Sequence, residues 1–222
     1  MKPGVAVVAL AAAFAGCGPE RYVLRYQPEG APVSLPAARR ANVYVSAVDD
    51  ASGGVTITHS IVRPGAPLDR RTAAQAAVFD PPIAAVLKDA AAAELKRLGA
   101  AVTEKKEEAD RILMIVIRNV SLDNYDDSLA GGHSLIAQRA AIVLNAALTD
   151  RSGRILLSET LQGSGEMRRF GSMAATREMV LNLAVADAIP KLRQLFEEPA
   201  QGDQPAAAAP AAVPWWETPV SK

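Results

Sequence analysis

Few side chains of this chain can do chemistry, and their spacing excludes most of it. There are two histidines, His59 and His133, and one cysteine, Cys17. A zinc site takes three or four ligands at short, recognisable spacings, and no His-x-x-x-His or Cys-x-x-Cys is present. His59 falls in an alternating stretch and is expected to face solvent or a partner. His133 follows Gly131-Gly132, which reads as a flexible loop. Asp123-Asn124-Tyr125-Asp126-Asp127 supplies hard oxygens but lacks the Asp-x-Asp-x-Asp-Gly order and distal glutamate of a calcium loop. It reads as a solvated loop. Gly163-Ser164-Gly165 does not have the Gly-x-Ser-x-Gly spacing of a nucleophile elbow, and no histidine follows it. Its glycines read as a bulge where a strand leaves a sheet. No glycine-rich phosphate loop occurs. These residues point away from an enzyme and imply no metal and no dissociable cofactor. With 24 basic and 24 acidic residues and 5% aromatics, the chain offers neither a basic field nor a stacking platform for nucleic acid.

Cys17 remains. Met1-Lys2 is a short positive start, and Pro3 to Ala15 carries no charge. An apolar run of ~12 residues behind one lysine fits an export signal. It is shorter than the ~20 residues that span a bilayer. Phe14-Ala15-Gly16-Cys17 resembles the lipobox of bacterial lipoproteins, usually Leu-Ala-Gly/Ala-Cys, with Phe14 in place of leucine. Small residues let a peptidase reach the bond before the cysteine, and only a thiol forms the thioether. The resemblance implies that residues 1–16 are removed, that Cys17 receives a diacylglycerol, and that its new amine is acylated. The only cofactor-like groups are these covalent chains. The mature chain then holds no other thiol to mispair in an oxidising compartment. Gly18 in place of aspartate implies, by the habit of Gram-negative lipoproteins, the periplasmic face of the outer membrane.

The elements that position these residues follow from the patterning. Residues 17–41 read as the acylated cysteine and a tether with a reach of about 27 Å if flexible. Within it, Tyr22-Val23-Leu24-Arg25-Tyr26 alternates and can instead add an edge strand. Residues 199–222 are rich in Pro and Ala, which favours a stiff, exposed tail. Trp215-Trp216 in that tail can dock on a partner or membrane, or fold back. The domain is expected over 42–198. Asn42–Val48 alternates and reads as a strand, and Val55–Val62 as a weaker one. Asp80 can cap a helix with Pro81 at its first position, and Ile83, Leu87, Ala91, Leu95 and Leu98 form one apolar stripe up to a Gly99 cap. Ile112–Ile117 is apolar without a break, which predicts a strand covered on both faces. Ala141–Thr149, the turn Asp150-Arg151-Ser152-Gly153 and Ile155–Leu161 predict a hairpin. A last helix over about 172–197 should bend at Pro190, with Leu181, Val185, Ala188, Leu192 and Leu195 inward. The sum is an α+β two-layer sandwich, a mainly antiparallel sheet with two long helices on one face.

The lipobox, the strand ending Val48-Asp49-Asp50, the helix ending Leu95-Lys96-Arg97-Leu98-Gly99, the Ala109-Asp110 strand start and the hairpin through Asp150–Gly153 together resemble the YajG-like lipoproteins. They also resemble the wider group of ABC-transport auxiliary lipoproteins. The resemblance spans about 42–197 and departs at 51–79 and at the Trp-bearing tail. It implies a non-catalytic binding or assembly module of the envelope, anchored to the membrane and meeting an envelope protein. Its wider form implies an accessory subunit of an ABC-type lipid-trafficking system, with an apolar groove beside 112–117. An envelope hydrolase would need a pocket joining His133 to Asp123 or Asp126.

Overall fold

The computed structural model describes residues 20–28, 30–33, 35, 38, 41–62, 69–75, 77–130, 133–169 and 173–196. Phe14, Ala15, Gly16, Cys17, Trp215 and Trp216 lie outside the described residues. The strands are β1 (Glu20–Tyr22), β2 (Asn42–Val45), β3 (Asp49–Asp50), β4 (Val55–Val62), β5 (Asp69–Gln75), β6 (Ala77–Phe79), β7 (Ala101–Thr103), β8 (Arg111–Ala130), β9 (His133–Asp150) and β10 (Ile155–Arg169). The helices are α1 (Ile83–Arg97) and α2 (Met173–Ala188), the latter followed by a 3-10 segment over Ile189–Leu195.

The fold is mixed α+β. Its main sheet has eight strands, mostly antiparallel, with the path β10-β9-β8-β2-β7. β2, β3 and β4 follow one another along one edge of β8, all parallel to it, from Val43 opposite Arg111 to Val62 opposite Asp127. β5 pairs antiparallel with β4. β1 and β6 form a separate parallel pair, with Tyr22 opposite Phe79.

Alternation explains the layers. Leu113, Ile115 and Ile117 point inward. A bulge between Ile117 and Asn119 resets the phase, so Val120 and Leu122 point inward too. Ile142, Leu144, Ala146 and Leu148 of β9 share that face, and all are buried. Against them lie the two expected stripes, Ile83-Leu87-Ala91-Leu95-Leu98 and Leu181-Val185-Ala188-Leu192-Leu195, buried throughout. Burial of one such leucine or isoleucine contributes about 1.5–3 kcal/mol over exposure.

The expected hairpin turn forms as its residues require. Asp150 Oδ1 accepts from the Ser152 N–H at 2.9 Å, the Ser152 hydroxyl at 2.6 Å and the Arg154 N–H at 3.0 Å. Gly153 takes φ +86°, a left-handed conformation that costs other residues about 1–2 kcal/mol. The Ser152 hydroxyl leads the contacts that hold the Asp150 carboxyl below its ordinary range. α1 ends in a left-handed Gly99, with Ala100 N–H bonded back to Leu95 O.

Six expectations change. The strand over 112–117 is not covered on both faces. β4 extends the sheet along β8, and Met114 is left 46% exposed. Asp80 does not cap α1: the cap position is Pro82, with no side-chain bond, and Asp80 stands too early to reach the first turn. The last helix does not run on to 197: its α-helical part ends at Ala188. Pro190, with no N–H for the next α-helical bond, sits in the tighter 3-10 turn that follows. The acidic stretch and His133 are not in loops, because β8 and β9 pair through Asp127–Leu135 and close at Ala130–His133. Gly163 and Gly165 mark no bulge. The β10–β9 register runs unbroken from Leu157–Leu148 to Arg169–Ile136. Finally, the described residues of 20–41 are not a free tether. Tyr22, Leu24, Ala38 and Ala41 are buried in the same core as the sheet. The Tyr22 ring meets Phe79 at 5.7 Å, and Asp80 N–H donates to Tyr22 O.

Candidate functional site

The register of five strands builds one polar groove on the outer face, at the distal end of the sheet. Across β5, β4, β8, β9 and β10, one row reads Arg70, Ser60, Tyr125, Ala137, Arg168. The next row reads Thr72, Thr58, Asp123, Arg139, Glu166. Both rows face one side because strand side chains alternate with period two. All of these residues except Thr58 and Thr72 line a cavity of about 250 Å³.

Three of its charges are paired with one another. Arg139 Nη2 meets Glu166 Oε2 at 2.8 Å, and Arg168 Nη2 meets Glu166 Oε1 at 3.2 Å. Arg139 first, then Arg168, holds the Glu166 carboxyl below its usual range. Glu166 is therefore an anion at neutral pH and has no proton to give as a general acid. No histidine and no cysteine lines the groove. Asp123 is there, but the side chains of His133 and Asp126 lie outside the described residues. His59 is exposed on β4, opposite Asn124. Among the described residues no three His, Cys, Asp or Glu side chains gather as metal ligands do. What the groove offers is hydrogen bonding and ion pairing to a polar guest.

On its inner side, the 112–117 strand beside which an apolar groove is expected is packed against the helices. Leu113, Ile115 and Ile117 are buried in the core cluster that the helices share. The sheet edge is also closed by side chains. Asp187 of α2 accepts from the Ser164 N–H of β10 at 3.0 Å and from Lys191 Nζ at 3.0 Å, and Lys191 also donates to Gln162 O. These bonds occupy edge groups that another strand would use.

That cap carries a pH signature. Burial alone would raise the Asp187 carboxyl, but the bonds from Lys191 and Ser164 outweigh it and lower it. A lowered native pKa stabilises above the unfolded value, near about 4, and the gain is lost as pH falls through the native value. Asp187→Asn should therefore be less stable than the parent at neutral pH. The two should converge in urea melts taken well below pH ~4.

Pattern reasoning missed the contacts that seat the N-terminal segment. Asn182 of α2 accepts from Arg25 N–H at 2.8 Å through Oδ1 and donates to Val23 O at 3.4 Å. Tyr26 OH donates to Glu94 Oε2 at 3.2 Å. The alternation of residues 22–26 was the available signal. Tyr22 and Leu24 point in, while Arg21, Val23 and Arg25 point out.

No family model and no curated protein matches the chain. Among solved structures, it is similar to a Xanthomonas campestris protein described as DUF330, at 20% identity and TM-score 0.44, over 78% of this chain and 91% of that one. It is also similar to uncharacterized lipoprotein B from Nitrosomonas europaea, at 15% identity and TM-score 0.40, over 78% and 91%. A third is a minor lipoprotein from Acinetobacter baumannii, at 12% identity and TM-score 0.35, over 50% and 82%. The functional reading rests on this chain's own residues.

Proposed function

We propose that this chain is an envelope lipoprotein, acylated on Cys17 and anchored to the outer membrane, that serves as a non-catalytic binding or assembly module. One observation carries the reading. The lipobox Phe14-Ala15-Gly16-Cys17 ends three positions before Glu20, where β1 of the domain begins. Cleavage before Cys17 would remove the apolar run and leave the domain whole. The polar groove supports a binding role: it sets Arg139 and Arg168 against Glu166 beside the polar side chains of Ser60, Asp123 and Tyr125. The acyl chains would provide the membrane contact, and two or three chains hold far more firmly than one.

The test is Cys17→Ser in the native host. The parent should incorporate radiolabelled palmitate and sediment with outer membranes. The variant should incorporate none and leave the membrane fraction. A variant that still sediments with membranes would sink the lipid-anchor reading. Crosslinking of the acylated protein in envelopes should recover one defined envelope protein, and repeated recovery of none would remove the assembly role.

A further inference from the structure

The seating of the N-terminal segment changes what the anchor does. Cys17 and Glu20 are three residue steps apart. A chain covers at most ~3.6 Å per residue, so the Cys17 and Glu20 Cα atoms stand within about 11 Å. The headgroup layer of one leaflet is itself about 5–8 Å thick. An acylated Cys17 thus leaves β1 almost no distance from the lipid.

The surface beside that point has a matching character. Val23 is 37% exposed and lies between exposed Arg21 and Arg25. Val78 of β6, opposite Arg21, is 40% exposed. Asn182 joins this segment to α2, whose Met179 and Leu183 are 43% and 44% exposed. α2 buries Val180, Leu181, Ala184 and Val185 on its core side. It is thus apolar on its core side and in part on its outer side, where a surface helix is expected to be polar. Exposed apolar groups flanked by arginines suit an interface of acyl chains and anionic headgroups.

We propose that Arg21, Val23, Arg25 and Val78, together with Met179 and Leu183 of the α2 turn that Asn182 ties to this segment, rest on the bilayer that holds the acyl chains of Cys17. The occupant is a lipid surface, and the proposal rests on the anchor reading above. The domain then lies against the membrane in one orientation, and its polar groove is presented at a fixed angle.

The experiment uses the full acylated chain in phosphatidylethanolamine vesicles containing phosphatidylglycerol. Acylation leaves no native thiol, so Val23→Cys, Val78→Cys, Leu183→Cys and the control Ser158→Cys each take one fluorophore. Nitroxide lipid then reports contact. The first three labels should lose about half their emission or more, as expected for groups seated in the headgroup region. Ser158→Cys should lose little. Arg21→Glu with Arg25→Glu should reduce the quenching of the Val23→Cys label. Labels that stay bright on protein that floats with vesicles overturn the docking face and leave the anchor standing. Protein that fails to float overturns the anchor, and the docking proposal with it. Labels shielded only in native envelopes, by a crosslinked protein, assign the face to a protein partner and overturn the lipid proposal.

Discussion

Replacing Gly163 with valine should cost this domain about 3 kcal/mol or more, enough to lower its melting temperature by roughly 6–12 °C at this size. The reason is steric. A Cβ on Gly163 would stand 2.0 Å from the carbonyl oxygen of Ala184 and 2.7 Å from the Cβ of Ala188. The nearest atom belongs to backbone, so no rotamer change relieves it. The strand and α2 would have to separate, opening contacts of Val180, Ala184, Val185 and Ala188, all buried. Gly165 is held the same way, its added Cβ 2.2 Å from Val180 O. Even Gly163→Ala should therefore be severe, and Ala188→Gly should rescue little of it. Gly163→Ala with Gly165→Ala should cost less than the sum of the two, since both push on one helix. Urea denaturation of these variants and of Gly165→Ala alone checks this. A parent-like Gly163→Ala would show that α2 does not sit where it is placed.

Glu94→Ala should be nearly as damaging, by about 3 kcal/mol at the low end of what breaking a buried ion pair costs. Glu94 is 0% exposed. Its carboxylate accepts from Arg97 Nε at 2.8 Å, from Arg97 Nη2, and from Tyr26 OH at 3.2 Å. The hydrogen bond to Glu94 raises the Arg97 guanidinium above its ordinary pKa. Truncation would strand that charge, whose remaining bond is to Ala31 O at 3.1 Å. It would also remove the bond from the Tyr26 hydroxyl to Glu94 and so loosen the segment leading to Cys17. The variant should melt lower and be cut faster by protease within 22–31. Glu94→Leu with Arg97→Met removes both charges and should recover most of the loss, as buried pairs replaced by apolar residues often do. If the double variant is worse than Glu94→Ala, the pair contributes in some other way.

Both sites show where pattern and structure part. Glu94 lies three residues before Arg97, a spacing that reads as a surface pair worth a few tenths of a kcal/mol. Only the N-terminal segment folding over α1 buries it. Gly163 and Gly165 read as a bulge, but the structure needs them for the absence of side chains. A sequence does not show which helix will lie on which strand.

The polar groove has the same origin. Arg70, Ser60, Asp123, Arg139 and Glu166 come from five strands, and each looks like an ordinary solvent-facing residue. Their meeting depends on register, which a shift of one residue would reverse. β5, Asp69-Arg70-Arg71-Thr72-Ala73-Ala74-Gln75, has no apolar alternation at all. It is an edge strand paired only with β4, and its own side chains could not announce it.

The sequence by itself determined the two helical stripes, the hairpin turn at Asp150–Gly153 and the α+β class. These follow from local period and turn chemistry, which act within a few residues. It also determined the candidate anchor, because a lipobox is read as linear chain. The tertiary structure decided the length of β8 and β9, the burial of Glu94, the reason for the glycines and the seating of Tyr22 and Leu24. Those depend on pairings between residues far apart in the chain, whose energy exists only once both partners are in place. The seating of Tyr22 and Leu24 limits the free reach between Cys17 and β1 to at most about 11 Å, against the about 27 Å expected of a flexible tether.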